Sequence, residues 1–455
     1  MSTQSLSLTD FPMNHNTSLS STQEETEVEE GSRVTIQDFQ FIKVLGKGCM
    51  GKVLLVRTHH SPRLYALKAI SKAWVITQRE IEQAKMERNI LSGIAKIRHP
   101  FLIKLHHSFQ DANQLFLLMD YHAGGDLATQ LAVFVKFTPE RCKLYTAEIL
   151  LGLQELHRLG ILYRDLKPEN ILLSAQGHLV LTDFGLSKQF VPGLSIDDQR
   201  TRTFCGTPEY LAPEILHSEE YSYEVDYWSL GTILYEMLTG TTPFWANSPT
   251  EMYRRVLEDD LEFPEDVDII TADFIAGLLE REPSRRLGTT AGGGPASVRC
   301  HPYFGRLNWS AVYDKRIPPP YVPQLQSETD FSHFDLDFLR MTPKLSSTIN
   351  DTLSETIQLA FRGYSYNESD MAYSSRSITT SMTPTEHSPR EDNLYDLDRL
   401  PMDVSDYSES FSLDDCQQSE YTLSSYNVTR FPDADVSNIS LSLDSIYHAD
   451  EISWA

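Results

Sequence analysis

A change of apolar rhythm near Gly124-Gly125 leaves few folds open to this chain. On its N-terminal side lie the short runs Phe41-Ile42-Lys43-Val44-Leu45, Lys52-Val53-Leu54-Leu55-Val56 and Leu64-Tyr65-Ala66-Leu67-Lys68-Ala69-Ile70, punctuated by Gly or Pro. Such runs read as strands of an antiparallel sheet. A helix is expected from about Glu80 to Ser92, and Ile103–His107 and Leu115–Asp120 complete the strands. Beyond the two glycines, Pro139–Leu159 carries Leu144, Ala147, Leu150, Leu151, Leu153 and Leu156 at helical spacing, and Val225–Thr239 and Thr271–Leu279 do likewise. Strands first and helices second predict an α+β architecture of two lobes.

The 455 residues and 40% hydrophobic content suffice for a buried core. The formal charge of −25 is uneven, about −6 over residues 1–38 and about −14 over 367–455. Residues 1–38 read as a disordered acidic leader and 367–455 as a disordered Ser-rich acidic end. Between them, 39–304 is the globular body and 305–366 an extended tail lying on it. No basic stripe invites nucleic acid, and an acidic surface favours basic peptides. The five scattered cysteines lack metal-ligand spacing and read as reduced thiols inside a cell. No signal-like start or long apolar run points to membrane insertion, so a cytoplasmic and also nuclear monomer is expected.

Gly46-Lys47-Gly48-Cys49-Met50-Gly51-Lys52-Val53 has glycines spaced so that backbone N–H groups can approach phosphate oxygens, although alone it would also suit a hairpin turn. Lys68 lies on the following strand, where its ammonium can pair the α- and β-phosphates of a nucleotide. Glu87 is placed to orient it, with Glu80 and Glu82 as rivals; inward-facing Ala84, Ile90 and Leu91 favour Glu87. In Tyr163-Arg164-Asp165-Leu166-Lys167-Pro168-Glu169-Asn170, Asp165 can orient a substrate hydroxyl, Lys167 can neutralise the phosphoryl in transit, and Asn170 can ligate Mg²⁺. Asp183, in Asp183-Phe184-Gly185, supplies a second Mg²⁺ ligand. Arg164 suits a phosphate on the segment before Ala212-Pro213-Glu214, with Thr203 the candidate, and Thr207 is expected to bond Asp165 and Lys167. Glu214 needs a buried partner, for which Arg286 is the best choice, and Asp226 is expected to brace the catalytic loop.

These motifs, in this order, resemble the protein kinases. Tyr163 before Arg164-Asp165, the run Thr203 to Glu214 and the tail are similar to the AGC group. Phe334-Asp335, Met341-Thr342-Pro343 and Phe361-Arg362-Gly363-Tyr364-Ser365-Tyr366 look most like the ribosomal protein S6 kinases of growth signalling. The resemblance implies a serine/threonine kinase using ATP and Mg²⁺. Its nucleotide site would include Leu45, the loop from Gly46 to Val53, Ala66, Lys68, Met119, Asp120, His122 and Asp126. Asp126, Glu169 and Glu236 match positions that receive substrate arginines. Thr203, Thr342 and Ser365 match phosphorylation sites, served by upstream kinases of the phosphoinositide-dependent and growth-control types. Phe361 and Tyr364 would fill a pocket of Val75, Ile76, Ile81, Ala84, Arg88, Gln110 and Leu115, pressing Glu87 toward Lys68. Phe334 is expected to tether near the adenine, and Met50 replaces the usual aromatic at the loop tip, which would loosen the phosphate lid. A serum-regulated or Akt-like member, or a silent scaffold, is the alternative.

Overall fold

The computed structural model describes residues 34–191, 193–194, 198–290, 292–345, 353–367 and 429–430; the expected leader and most of the acidic C-terminal end lie outside them. The small lobe is an antiparallel sheet of β1 (Phe39–Lys47), β2 (Gly51–Thr58), β3 (Leu64–Ser71), β4 (Leu105–Gln110) and β5 (Gln114–Asp120), in the spatial order β1-β2-β3-β5-β4. Two helices follow β3, α1 (Lys72–Thr77) and α2 (Ile81–Ile97). Ser71 caps α1 by accepting from the Trp74 amide at 3.3 Å. The α2 helix passes the expected end at Ser92, since Ser92 and Gly93 are buried in its packed face and it stops at Arg98, in the left-handed conformation (φ 57°).

The large lobe begins with α3 (Leu127–Phe134) and α4 (Pro139–Arg158). Proline at the first position of α4 and basic His157 and Arg158 in its last turn suit the helix ends. Short strands β6 (Ile161–Leu162), β7 (Ile171–Leu173), β8 (Leu179–Leu181) and β9 (Lys188–Gln189) pair as β6-β9 and β7-β8 at the base of the cleft. Then come α5 (Pro213–Leu216), α6 (Glu224–Thr239), α7 (Pro249–Glu258), β10 (Glu262–Phe263), α8 (Ile269–Leu278), α9 (Gly294–Cys300) and α10 (Trp309–Tyr313). Nearly every residue of α6 is buried, between α4 and α8.

The tail, expected to be extended and to lie on the body, carries only short elements: α11 (Leu336–Arg340) against β1, α12 (Glu355–Ala360), and β11 (Tyr366–Asn367). In β11, Tyr366 lies opposite Ser108 and Asn367 opposite His107, making a sixth strand beside β4. Thr429–Arg430 pairs in parallel with β10. Cys49, Cys142 and Cys205 are free thiols. Among the described residues no helix is long and apolar enough to cross a membrane.

Candidate active site

The glycine-rich segment is the β1–β2 hairpin, closed by the Gly48 amide donating to the Gly51 carbonyl at 3.0 Å. Its glycines answer to different constraints. A Cβ on Gly51 would lie 1.8 Å from the Ala69 carbonyl oxygen, so strand packing excludes a side chain. A Cβ added at Gly46 or Gly48 would meet nothing within 4 Å, so one side of each backbone position is open. Cys49 is exposed, and Met50 turns inward, half-buried beside Ile70, Trp74 and Val75. Met50 therefore anchors the loop tip to the small-lobe core instead of loosening it. Ala66 and Met119 face each other across β3 and β5, with Leu45 and Val53 half-buried nearby on β1 and β2. The Asp120 carboxylate is occupied by Arg63 at 2.8 Å and His106 at 2.7 Å. Burial pushes the His122 imidazole down to about 4 against the opposing charge of Asp120.

Lys68 Nζ donates to Glu87 Oε1 at 2.7 Å and to Asp183 Oδ1 at 3.0 Å. Burial alone would lower the Lys68 pKa, but the carboxylates of Asp183 and Glu87 outweigh it and hold the ammonium firmly protonated. Of the glutamates on this stretch, Glu80 sits at the N-cap of α2 and exposed Glu82 pairs with Lys85, so only Glu87, 2% exposed, reaches Lys68. Gln83, which carries no motif signal in the sequence, donates to the carbonyls of Gly185 at 2.8 Å and Ser187 at 3.0 Å, tying α2 to the segment after Asp183.

Opposite this set, Thr207 Oγ1 donates to Asp165 Oδ1 at 2.8 Å and accepts from Lys167 Nζ at 2.9 Å. Asn170 Nδ2 donates to the carbonyl oxygen of Asp165 at 2.8 Å and to its Oδ2 at 2.9 Å, which leaves the Asn170 amide oxygen as a free ligand atom. Asp183 adds a carboxylate that opens onto the cleft but is surrounded by protein; the desolvation this brings would raise its pKa, and Lys68 overrides it and holds the group below its usual range. A carboxylate and an amide oxygen are the hard donors that Mg²⁺ takes together with phosphates and water. Arg164 and Asp183 both adopt the left-handed region (φ 68° and 57°), strain that Asp226 helps to hold by accepting from the amides of Tyr163 at 3.0 Å and Arg164 at 2.9 Å. Arg286 pairs bidentately with Glu214 at 2.6 and 2.9 Å, fully buried. Arg164 Nη1, between β6 and β7, is buried with no hydrogen-bond partner among the described residues; Thr203, on the segment after β9, is exposed, and its carbonyl accepts from the Tyr221 hydroxyl at 2.6 Å.

The acidic positions converge at the front of the large lobe. Asp126 caps α3 through the Thr129 amide at 2.7 Å, and Glu236 accepts from the Tyr210 hydroxyl at 2.7 Å. Burial, with Glu169 and Glu209 nearby, pushes Glu236 up to about 7. Glu209, two residues after Thr207, is an addition to the expected acidic set, one of the carboxylates near Glu236.

The described tail residues touch this machinery at several places. Phe334 stacks on Tyr121 at 6.0 Å, at the hinge between the lobes. Lys52 Nζ donates to the Lys344 carbonyl at 3.3 Å, next to exposed Thr342. Phe361 and Tyr364 are 0% and 1% exposed in the cluster containing Val75, Ala84 and Leu115, flanked by Ile76 and Ile81. Gln110 donates to the Phe361 carbonyl at 2.8 Å, Arg88 to that of Gly363, and Ser108 to that of Tyr364 at 2.7 Å. Buried Lys72 reaches Gln358 at 2.6 Å and lies 5.0 Å from the Phe361 ring. Lys72 and Ser108 give no sequence signal, being a cation and a hydroxyl among strand-edge residues. Ser365 is exposed.

Residues 39–304 match the protein kinase domain family, and residues 325–366 match the protein kinase C terminal domain family. The chain is 41% identical to a RAC family serine/threonine-protein kinase homolog of Dictyostelium discoideum, over 74% of this chain and 73% of that protein. It is 42% identical to the serine/threonine-protein kinase YPK1 of Saccharomyces cerevisiae over 73% of this chain, and spans under half, 47%, of that protein. Serine/threonine-protein kinase Sgk2 of Rattus norvegicus is 41% identical over 73% of this chain and 89% of its own. The chain belongs to the protein kinase family, as a serine/threonine kinase of the AGC group.

Proposed function

We propose that this chain transfers the γ-phosphoryl group of MgATP to serine or threonine of proteins with basic residues upstream of the acceptor. The observation that carries this reading is the closed hydrogen-bonded set Lys167–Thr207–Asp165–Asn170 facing Lys68–Asp183 across the cleft. Asp165 accepts from Thr207 through one carboxylate oxygen and from Asn170 through the other, so its position is fixed before a substrate hydroxyl arrives. Lys68 holds the α- and β-phosphates, and Lys167 stands by the phosphoryl in transit. Asp183 and Asn170 would hold Mg²⁺, which when bound neutralises charge on the β- and γ-phosphates.

Asp126, Glu169 and Glu236 receive the substrate's basic side chains, a role supported by the raised pKa of Glu236 among neighbouring carboxylates. Upstream kinases of the phosphoinositide-dependent and growth-control types phosphorylate Thr203, Thr342 and Ser365. Exposure of all three hydroxyl-bearing residues supports this, as does the buried Nη1 of Arg164, which has no hydrogen-bond partner among the described residues. A cytoplasmic and nuclear monomer remains the expected setting. The tail motifs favour a place beside the ribosomal protein S6 kinases, while similarity to Sgk2 and YPK1 favours a serum-regulated type as the second reading. Phosphate transfer to a basic serine peptide by the wild type and by Asp165→Asn tests the chemistry. A fall of at least about 10²-fold is expected, and equal rates would refute it.

A further inference from the structure

The turn that follows Asp183 is held by its main-chain carbonyls, and these are claimed from both lobes. Gln83, on the first turn of α2, directs its side-chain nitrogen Nε2 to the Gly185 carbonyl at 2.8 Å and to the Ser187 carbonyl at 3.0 Å. An amide nitrogen carries two hydrogens, so these acceptors take up its whole donor capacity. The carbonyl between them, that of Leu186, accepts from Arg164 Nε of the catalytic loop at 2.6 Å. Within the turn the Ser187 amide donates to the Phe184 carbonyl at 3.0 Å, and the buried Ser187 hydroxyl donates to the Tyr163 carbonyl at 3.2 Å.

This turn sets where Asp183 points. The Gly185 amide donates to Asp183 Oδ1 at 3.1 Å, the same oxygen that accepts from Lys68 at 3.0 Å. Gly185 thus has both main-chain groups in use, its N–H on the Asp183 carboxylate and its C=O on Gln83. Asp183 itself sits in the left-handed region (φ 57°), a conformation that persists where the surroundings fix it. Lys68 alone would leave the carboxylate free to swing about one contact. The clamp on Gly185 and Ser187 holds the backbone that carries it.

We propose that Gln83 is a positioning residue for the metal-ligating carboxylate: from α2 it fixes the turn after Asp183, and so keeps Asp183 aimed at the place where Mg²⁺ would be held. This role rests on the phosphotransfer reading for the identity of the metal site. Gln83 suits such a role because it is half-buried and stands apart from the packed face of α2, which Ala84, Glu87, Ile90 and Leu91 form. Its replacement therefore removes two hydrogen bonds to the turn and leaves the apolar seat of the helix intact.

The test compares wild type, Gln83→Met and Gln83→Glu as full chains. Methionine keeps the length of the side chain without a donor or a charge, and glutamate keeps the shape of glutamine but presents acceptors to two carbonyls. Kd for ATP is measured by calorimetry with Mg²⁺ and in EDTA, and amide exchange is followed at Ser187. In both variants the gain in ATP affinity that Mg²⁺ brings should shrink by at least about threefold, the effect of losing two neutral hydrogen bonds. Kd in EDTA should stay near that of wild type, and the Ser187 amide should exchange faster. A full Mg²⁺ gain in either variant overturns the proposal, and so does an equal loss of affinity with Mg²⁺ and in EDTA, which would reduce Gln83 to a packing role. A wild type that gains nothing from Mg²⁺ overturns it as well. Affinities and exchange are read without turnover, so a chain that binds MgATP and transfers no phosphate would sink the phosphotransfer reading while Gln83 is still judged on its own affinities.

Discussion

Replacing Phe361 by alanine isolates the coupling between the tail and the catalytic lysine. The ring is fully buried, and its neighbours on the small lobe include Val75, Ala84 and Leu115. Truncating a buried phenylalanine costs about 3–5 kcal/mol. At about 1.4 kcal/mol per factor of ten, that shifts the equilibrium between docked and released tail by roughly a hundredfold to a few thousandfold. Release also strips Gln110, Arg88 and Ser108 of the carbonyls of Phe361, Gly363 and Tyr364, and removes β11 from the edge of β4. Glu87 and Arg88 are consecutive on α2, so a helix no longer held by the tail is expected to let the 2.7 Å Lys68–Glu87 contact lengthen. The assay pairs kcat/KM on a basic serine peptide with amide hydrogen exchange in β4. We expect at least about a tenfold fall in kcat/KM together with faster exchange around Ser108. Phe361→Leu should recover much of both, since it keeps most of the buried volume. Wild-type turnover in Phe361→Ala with deprotected β4 amides would refute the coupling, because the tail would then have left without disturbing Lys68.

Arg286→Ala should destabilise the large lobe by about 3–5 kcal/mol in denaturant titrations, because it strands the buried Glu214 carboxylate; the double variant Glu214→Leu, Arg286→Met should lose much less. Gly51→Ala should lower thermal stability, since its methyl meets the Ala69 carbonyl, whereas Gly48→Ala should melt normally and raise KM for ATP. In the proposed role Glu236 would bind a basic side chain in its ionised form, and burial pushes its pKa up to about 7. KM for a basic peptide should therefore climb as pH falls through that value, by up to about tenfold per unit, while Glu236→Gln shows a high and flat KM.

The features legible in the sequence are those that local pattern or fixed motif spacing determines. Strands β1 to β5 and helices α4, α6 and α8 fall within a few residues of their expected places because apolar period and punctuation agree there. The pairing of Lys68 with Glu87 and of Arg286 with Glu214 is legible because a buried charge demands a partner and few candidates exist. Helices α1, α3 and α7 give no comparable signal. Two of them, α1 and α3, follow directly on a strand or a glycine break, and their starts are set by side-chain caps from Ser71 and Asp126 that only the folded chain reveals. Met50 departs from its expected role for a related reason: a flexible thioether side chain goes where the core has room, and sequence shows the residue but not the room. Gln83 and Lys72 act through polar contacts to segments between roughly 100 and 290 positions away.

What these contacts have in common is that α2 is held from three directions at once. Lys68 ties Glu87 to the sheet, Gln83 ties the first turn to the backbone after Asp183, and Arg88 ties the middle to the tail at Gly363. The first two ties join groups whose positions matter to phosphate handling, one in each lobe. The third joins a segment that touches no phosphate and can leave. A helix with only the first two ties can still rotate about the line between them, and that rotation would carry Glu87 away from Lys68 without breaking a covalent or strand contact. The tail tie removes this remaining freedom. Among the described residues its contacts are two buried aromatic rings and three main-chain carbonyls, so most of its strength comes from apolar burial and neutral hydrogen bonds. Phosphate at exposed Ser365 would then add to a seat that is already formed.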